Sequence, residues 1–288
     1  MLNTISVDVE DYFHPSEVQA FVDSSAWEDL PPRVEDATRR VLDLFARHNA
    51  RGTFFILGWV ARRHPALLRD IAAAGHEIAC HSYAHRLVYE LTPVEFREDT
   101  QLAQQVIADA CGLLPRAYRA PSYSVTERSL WALEILAELG FTHDSSIYPI
   151  RHDRYGIPGF GLHARLVSTP SGPIMEVPAA TVRLPSGRLC PVGGGAYLRL
   201  LPYRYTAAGI RRVNDDEKRS ACLYFHPWEL DAGQPRLARG LLARVRTYSG
   251  LRRMEAKLDR LFADFAFAPL TTVFPAAATA ANSPAALA

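Results

Sequence analysis

The sequence predicts an α/β protein, a parallel sheet with helices packed outside it. Three observations carry the prediction. Short β-branched or apolar runs alternate with helix-patterned segments, the order that parallel βα units require. The chain contains no internal repeat. Asp8, Glu10, His81, His85, Arg119, Asp144 and His226 each fall at or just past the C-terminal end of a predicted strand. In a parallel barrel those ends converge on one face, where active sites form, so the same pattern predicts a site.

Thr4–Val9 is β-branched and reads as the first strand, running into Glu10, Asp11, Tyr12, Phe13 and His14. A loop around Trp27 follows. Val34, Ala37, Val41, Leu42, Leu44 and Phe45 fall close to helical spacing and predict a helix over 33–49. Gly52–Leu57 predicts a second strand, and Val60–Ala74 a helix closed by Gly75. Glu77–Cys80 predicts a third strand, delivering His81 and His85 at its end. Thr92-Pro93-Val94-Glu95 is a capping box with proline at the first helical position, opening a helix to about Cys111. Ala117–Pro121 predicts a fourth strand, Ser124–Leu139 a helix stopped by Gly140, and Phe141–Asp144 a fifth strand. Ser145–Pro173 is rich in Pro, Gly, His and Arg, and its length predicts a functional surface loop. Ile174–Pro178 and Ala180–Leu184 predict two more strands, Tyr203–Asn214 a helix, and Ala221–Phe225 an apolar strand ending in His226. The basic region 237–265 reads as helical, with a last strand over 265–270. The triple glycine 193–195 fits neither G-x-G-x-x-G nor a Walker pattern. It is expected to let backbone pass close to the site or to a neighbouring strand.

The chain has 288 residues, 48% apolar and 22% charged, an ordinary globular composition. α/β barrels commonly use this length as a single domain. A net charge of +1 gives no electrostatic argument for nucleic acid and none for an acidic tail. Four scattered cysteines with no C-x-x-C suggest no disulfide framework, and Cys80 and Cys222 read as small buried hydrophobes. No secretory signal precedes the first strand and no apolar run of ~20 residues occurs, so the expectation is a soluble cytoplasmic protein. Residues 275–288 are Ala/Pro/Ser-rich and expected to form a disordered tail.

His81 and His85 are spaced to reach one metal ion from a turn or tight loop. A His-x-x-x-His pair is a weak signal alone, since two surface histidines on a loop share that spacing. The first strand adds weight. Alternation puts Asp8 and Glu10 on one face. With Asp11 they crowd three carboxylates into four positions, which would repel one another if buried without a cation. A solvated acidic strand end is the competing reading.

Together, Ser6-Val7-Asp8-Val9-Glu10-Asp11, Gly52-Thr53-Phe54-Phe55, His81-Ser82-Tyr83-Ala84-His85, Arg119-Ala120-Pro121-Ser122-Tyr123 and Leu223-Tyr224-Phe225-His226 resemble motifs of a known family. They match, in content and order, the polysaccharide deacetylases of carbohydrate esterase family 4, the NodB-homology fold. Asp8–His14, Phe225–Leu230 and the basic helical C-terminus resemble a narrower branch, the exosortase-associated deacetylases of exopolysaccharide gene clusters. The resemblance implies a distorted, incomplete (β/α) barrel of about seven strands over residues 1–272, with a family-specific helical extension over about 231–272. It implies metal-dependent removal of N-acetyl, or O-acetyl, groups from an acetylated polysaccharide or oligosaccharide in exopolysaccharide biosynthesis. A divalent ion is required, and zinc is the one expected.

Carried over residue by residue, Asp8 matches the general base, His81 and His85 two metal ligands, and Arg119 the arginine that holds the base. His226 matches the general acid, Tyr123 the backbone N–H that binds the oxyanion, and Leu223 a wall of the acetyl pocket. One departure stands out. The family motif has adjacent aspartates, base then ligand, whereas Val9 follows Asp8 here. The third ligand is then Glu10, which shares the face of Asp8, with Asp11 as the alternate. Asp144, near the family's fourth motif, would orient His226 or Arg119, or simply end a strand. Two other readings compete: a deformylase of a lipid-linked amino sugar using the same ligands, and a non-catalytic glycan-binding protein. Retention of base, ligands, arginine and acid together argues against the second.

Overall fold

The computed structural model describes residues 1–184 and 186–276, so the expected tail lies outside the described residues beyond Ala276. The first half runs β1 (Leu2–Val9), α1 (Ser16–Gln19), α2 (Val34–Arg47), β2 (Thr53–Ile56), α3 (Gly58–Arg63), α4 (Pro65–Ala73), β3 (Glu77–Cys80), α5 (Pro93–Cys111), β4 (Ala117–Tyr118), α6 (Trp131–Glu138) and β5 (His143–Asp144). The second half runs β6 (Arg165–Thr169), β7 (Gly172–Glu176), β8 (Thr181–Arg183), β9 (Leu189–Pro191), α7 (Gly195–Leu200), α8 (Tyr203–Arg211), β10 (Cys222–Phe225), α9 (Leu241–Tyr248), α10 (Met254–Asp264), β11 (Ala266–Ala268) and α11 (Leu270–Val273).

The main sheet has the order β10-β1-β2-β3-β4-β5-β7-β6, with β11 also on β1. Every pairing is parallel except β6 with β7. The end strands β10 and β6 do not pair, so the barrel is incomplete. β1 is the hub: β10 lies on one side, while β11 and then β2 share the other, at Leu2–Thr4 and Ser6–Val9. Nine strands replace the expected seven or so. β6 forms inside the stretch expected to be irregular, as the antiparallel partner of β7. The strand expected at 180–184 leaves the sheet and pairs with β9 as a separate ribbon.

Local chemistry explains the other departures. The helix expected over 60–74 is two helices, because Pro65 pushes the residue before it out of the helical region (His64 φ −126°, ψ 54°). The helix from Tyr203 ends in a π turn at Arg212–Asp216. The capping box at Thr92 and Glu95 forms as predicted, and α5 ends on Gly112 in the left-handed region (φ 74°).

Alternation along the strands sorts two cores. Ile5, Val7, Val9, Phe54 and Ile56 join the large core beneath the outer helices. Phe55, Ala79, Ala117 and Cys222 form a smaller cluster on the face carrying Ser6 and Asp8, because Asp8 pairs with Phe55 and Phe55 with Ala79. The parallel direction then brings the ends of β1, β3, β4 and β10 to one rim.

Candidate functional site

At that rim Glu10 meets both histidines of the His81–His85 loop. One carboxylate oxygen, Oε1, lies 3.1 Å from Nε2 of His81 and 2.9 Å from Nε2 of His85. All three side chains are buried, and their ligand-type atoms lie within 4.8 Å of one another. The loop is stitched in place. Ser82 and His85 take left-handed backbone (φ 61° and 53°), and Ser82 Oγ accepts from the His85 N–H at 3.1 Å. The Asp99 carboxylate accepts from the N–H groups of Tyr83 and Ala84. The first N–H groups of α3 donate to the carbonyls of Ser82 and Tyr83 at 2.8 and 3.1 Å. Gly58 permits that approach, since a Cβ there would sit 2.6 Å from the Tyr83 ring.

The donor chemistry fits a cation. Nδ1 of His81 lies 2.8 Å from the Arg119 carbonyl, which can only accept, so Nδ1 carries the proton. In the neutral ring, Nε2 then presents a lone pair to the Glu10 carboxylate. A shared cation would turn that repulsion into coordination, and the hydrogen bond on the far nitrogen is the usual support of a ligating imidazole. Burial alone would raise the Glu10 carboxyl. With no ion between them and the rings protonated, the charges of His85 and His226 and the hydrogen bonds from His81 and His85 outweigh it and hold its pKa well below the usual range. His14 packs behind, its ring stacked on His85 at 6.5 Å, its Nδ1 accepting from the Asp11 N–H at 2.8 Å.

Asp8 stands beside this group. Its Oδ1 accepts from Nη1 of Arg119 at 2.7 Å, with both side chains buried. The remaining Arg119 donors go to Ser6 Oγ, the Ser145 carbonyl, Ser145 Oγ and the Cys222 sulfur. Burial opposes the arginine's charge, and Asp8 more than offsets it, so the guanidinium stays charged. His226, at the end of β10, points Nε2 into the same space, 4.0 Å from Asp8 and 3.8 Å from Glu10. Its Nδ1 lies 3.1 Å from Oε2 of Glu229, and Glu229 in turn accepts from Arg199 at 2.8 Å, both fully buried. Burial would lower the His226 pKa, but Glu10, Glu229 and Asp8 together push it up to about 9.

Neither Glu229, named only as part of a motif, nor Arg199 has a role on sequence grounds, although a signal existed for Glu229. His226-Pro227-Trp228-Glu229 repeats the pattern of Thr92-Pro93-Val94-Glu95, and Glu229 accepts from the His226 N–H at 3.0 Å as a capping box requires.

Four expectations need correction or refinement. Asp11 lies apart from the His81–Glu10–His85 group. Its carboxylate accepts from the N–H groups of Tyr12, Arg33 and Val34, capping α2 from a distance in sequence. Asp144 hydrogen-bonds neither His226 nor Arg119. It accepts from Ser146 Oγ at 2.5 Å and stands beside Glu176, its register partner in the sheet, and burial raises both carboxyls. The Tyr123 N–H is donated to the Ala120 carbonyl at 3.1 Å, within a turn where Ser122 and Tyr123 are left-handed. Leu223 faces the outer core, and alternation gives the site side of β10 to Tyr224.

These groups open into a cleft of about 410 Å³. Asp8, Glu10, His85 and His226 lie at its base, and Tyr123, Tyr155, Tyr197, Tyr224 and Trp228 form much of its wall. Arg154 and Arg246, both near Glu17, also line it. The triple glycine has the expected use. A Cβ on Gly194 (φ 124°) would meet the Tyr224 ring at 2.2 Å, so the backbone lies directly on that ring.

Residues 22–143 match the family model described as polysaccharide deacetylase. Residues 145–275 match a domain of unknown function, DUF3473. His81, His85, Arg119 and Tyr123 fall in the first segment and His226, Glu229 and Arg199 in the second, while Asp8 and Glu10 precede both. A chitooligosaccharide deacetylase of Bradyrhizobium sp. (strain ANU 289) is 34% identical over 37% of this chain and 48% of its own. A peptidoglycan-N-acetylglucosamine deacetylase of Bacillus cereus is 32% identical over 34% of this chain and 36% of its own. The chain thus spans less than half the length of these curated relatives. A solved Mycobacterium smegmatis structure named for the polysaccharide deacetylases superposes with a TM-score of 0.60 at 20% identity, over 94% of this chain and 89% of that one, which shows the shared fold.

Proposed function

We propose that this chain, which carries a polysaccharide deacetylase domain, hydrolyses acetamido groups on an N-acetylated sugar polymer or oligosaccharide. In this reading Glu10, His81 and His85 hold a divalent ion, zinc by choice of donors: two imidazole nitrogens and a carboxylate suit it. The observation that carries the reading is the convergence, beside one cleft, of that donor set with a carboxylate pinned by arginine and a histidine pinned by a carboxylate.

An ion held by Glu10, His81 and His85 would supply Lewis acidity toward the acetyl carbonyl and water. Asp8, fixed by Arg119, accepts the proton of the attacking water. His226 donates a proton to the departing amine, and Glu229, braced by Arg199, fixes the ring so that Nε2 faces the reaction. The tyrosine and tryptophan faces along the cleft offer flat apolar surface with polar edges, suited to pyranose rings. Tyr123 contributes its ring to that wall, and its N–H can serve an oxyanion only when the turn at Ala120 opens. Residues 1–272 act as one catalytic unit, since Arg246 from the extension lines the cleft and β11 pairs with β1. We place the reaction in exopolysaccharide biosynthesis, on the likeness of Asp8–His14 and Phe225–Leu230 to the exosortase-associated branch.

The test is acetate release from N-acetylglucosamine oligomers by the chelated protein with and without added zinc. Release that depends on zinc supports the reading. Release that ignores both chelator and zinc overturns the metal's part in it, and no release from any acetylated glycan, with metal bound, overturns the reaction.

A further inference from the structure

Ala232–Met254 holds six arginines in 23 residues with no Asp or Glu. Elsewhere the fold pairs surface arginines with carboxylates, as at Arg39, Arg40, Arg86 and Arg97. Here Arg236, Arg239, Arg244, Arg252 and Arg253 are exposed, and none makes an ion pair among the described residues. Within this stretch α9 turns Leu241, Leu242 and Val245 to solvent, at 82, 63 and 41% exposure. One exposed leucine is ordinary; two in succession with a valine one turn on, among unpaired arginines, make a mixed apolar and basic surface. Just beyond α9, Arg236, Tyr248, Arg252 and Arg253 line a concavity of about 340 Å³ whose lining contains no carboxylate. Guanidinium groups converging without a counter-charge suit phosphate.

The placement matters. Arg246, one turn along α9 from Leu242, lines the sugar cleft, and so does Leu200, itself 42% exposed. Whatever α9 rests on therefore sits beside the cleft mouth.

We propose that α9 and the turn after it dock this protein on an anionic phospholipid membrane. Leu241, Leu242 and Val245 enter the boundary between headgroups and acyl chains, and Arg236, Arg252 and Arg253 take lipid phosphates. A soluble polyanion would use the arginines and leave the leucines without a role. Apolar side chains among arginines are the signature of a helix lying in a membrane interface. No described helix is long and apolar enough to cross a bilayer, and the contact proposed for α9 is an interfacial one.

The test is co-sedimentation of the full chain with phosphatidylcholine vesicles, with or without phosphatidylglycerol, over a salt series. Binding should require phosphatidylglycerol and weaken with salt. Leu241→Asp with Leu242→Asp should weaken it at least about tenfold. Arg252→Glu with Arg253→Glu should weaken it at least about 25-fold, since each arginine near an anionic surface is worth about fivefold. Acetate release from a soluble oligosaccharide should not change in either variant, which separates this outcome from any failure of the catalytic reading. Absence of binding to phosphatidylglycerol vesicles would overturn the proposal. So would binding insensitive to the leucine changes, which would mean simple polyanion attraction. Saturable binding of inorganic phosphate without vesicle binding would also overturn it, as would a dimer in light scattering that the leucine changes dissociate while vesicles go unbound.

Discussion

Replacing Asp8 with Asn keeps the shape of the side chain and removes its charge from a pair in which both partners are buried. Arg119 would be left with Ser6, Ser145 and the Cys222 sulfur as its hydrogen-bond acceptors, all neutral. Breaking such a pair from one side costs about 3–5 kcal/mol, because the surviving charge stays buried. A chain of 288 residues unfolds with an entropy near 0.6 kcal/mol/K, at about 2.1 cal/mol/K per residue. The Tm should therefore fall by about 5–8 °C. Arg119→Met should cost a similar amount by stranding Asp8. The double variant should lose clearly less than the sum, because neither charge is then left alone. Thermal unfolding of the metal-free wild type, both single variants and the double variant, followed by circular dichroism at neutral pH, measures this. Strict additivity, or an unchanged Tm in Asp8→Asn, would refute the argument that the two side chains form one buried electrostatic unit. Below its own Tm, Asp8→Asn should remain folded and release no acetate.

His226→Ala should keep its metal and lose about 10²–10⁴-fold in rate, with most recovery on substrates whose leaving groups need no proton; an equal loss across such a series would remove the general-acid role. In Glu229→Gln, the ring of His226 loses one of the carboxylates that raise it to about 9, so its NMR titration should move down, and an unmoved titration would show that Glu229 does not set it. Gly194→Ala should destabilise the protein or distort the cleft, because its Cβ would meet Tyr224 at 2.2 Å in a backbone region L residues avoid; a wild-type Tm with wild-type KM would contradict that packing. Burial, with Arg51 nearby, holds His76 down to about 4. A buried histidine kept neutral stabilises the fold above its unfolded pKa near 6.5, and the contribution fades as pH falls towards 4. His76→Asn should flatten urea-melt stability across that window, and an unchanged pH slope would count against the assignment.

Much of the fold was legible because the sheet is parallel and buried. Strands such as Glu77–Cys80 and Cys222–Phe225 are short apolar runs between turn signals, and the residues that follow them are polar. The choice of Glu10 over Asp11 as the group nearest the histidines was also readable, since strand alternation puts Glu10 on the face of Asp8. What Asp11 does was not readable, because its partners at Arg33 and Val34 return from 22 and 23 residues away. β6 was hidden because it is exposed on most positions and lacks an apolar run. Arg199 was hidden for a different reason: its partner Glu229 lies 30 residues on, and nothing local marks a buried arginine. Asp144 sits at a strand end as expected, yet it accepts from Ser146 and faces Glu176 across the sheet, a neighbour that only topology supplies.

The account stands or falls on one divalent ion held by Glu10, His81 and His85. Elemental analysis after equilibration with zinc and removal of excess ion tests it on wild type, His81→Ala, Glu10→Gln and Asp11→Asn. Wild type and Asp11→Asn should carry about one ion per chain, and His81→Ala and Glu10→Gln should each lose about two-thirds or more of it while remaining folded. A metal-free wild type would contradict the account, and so would full occupancy in Glu10→Gln together with loss in Asp11→Asn, which would move the third ligand to Asp11.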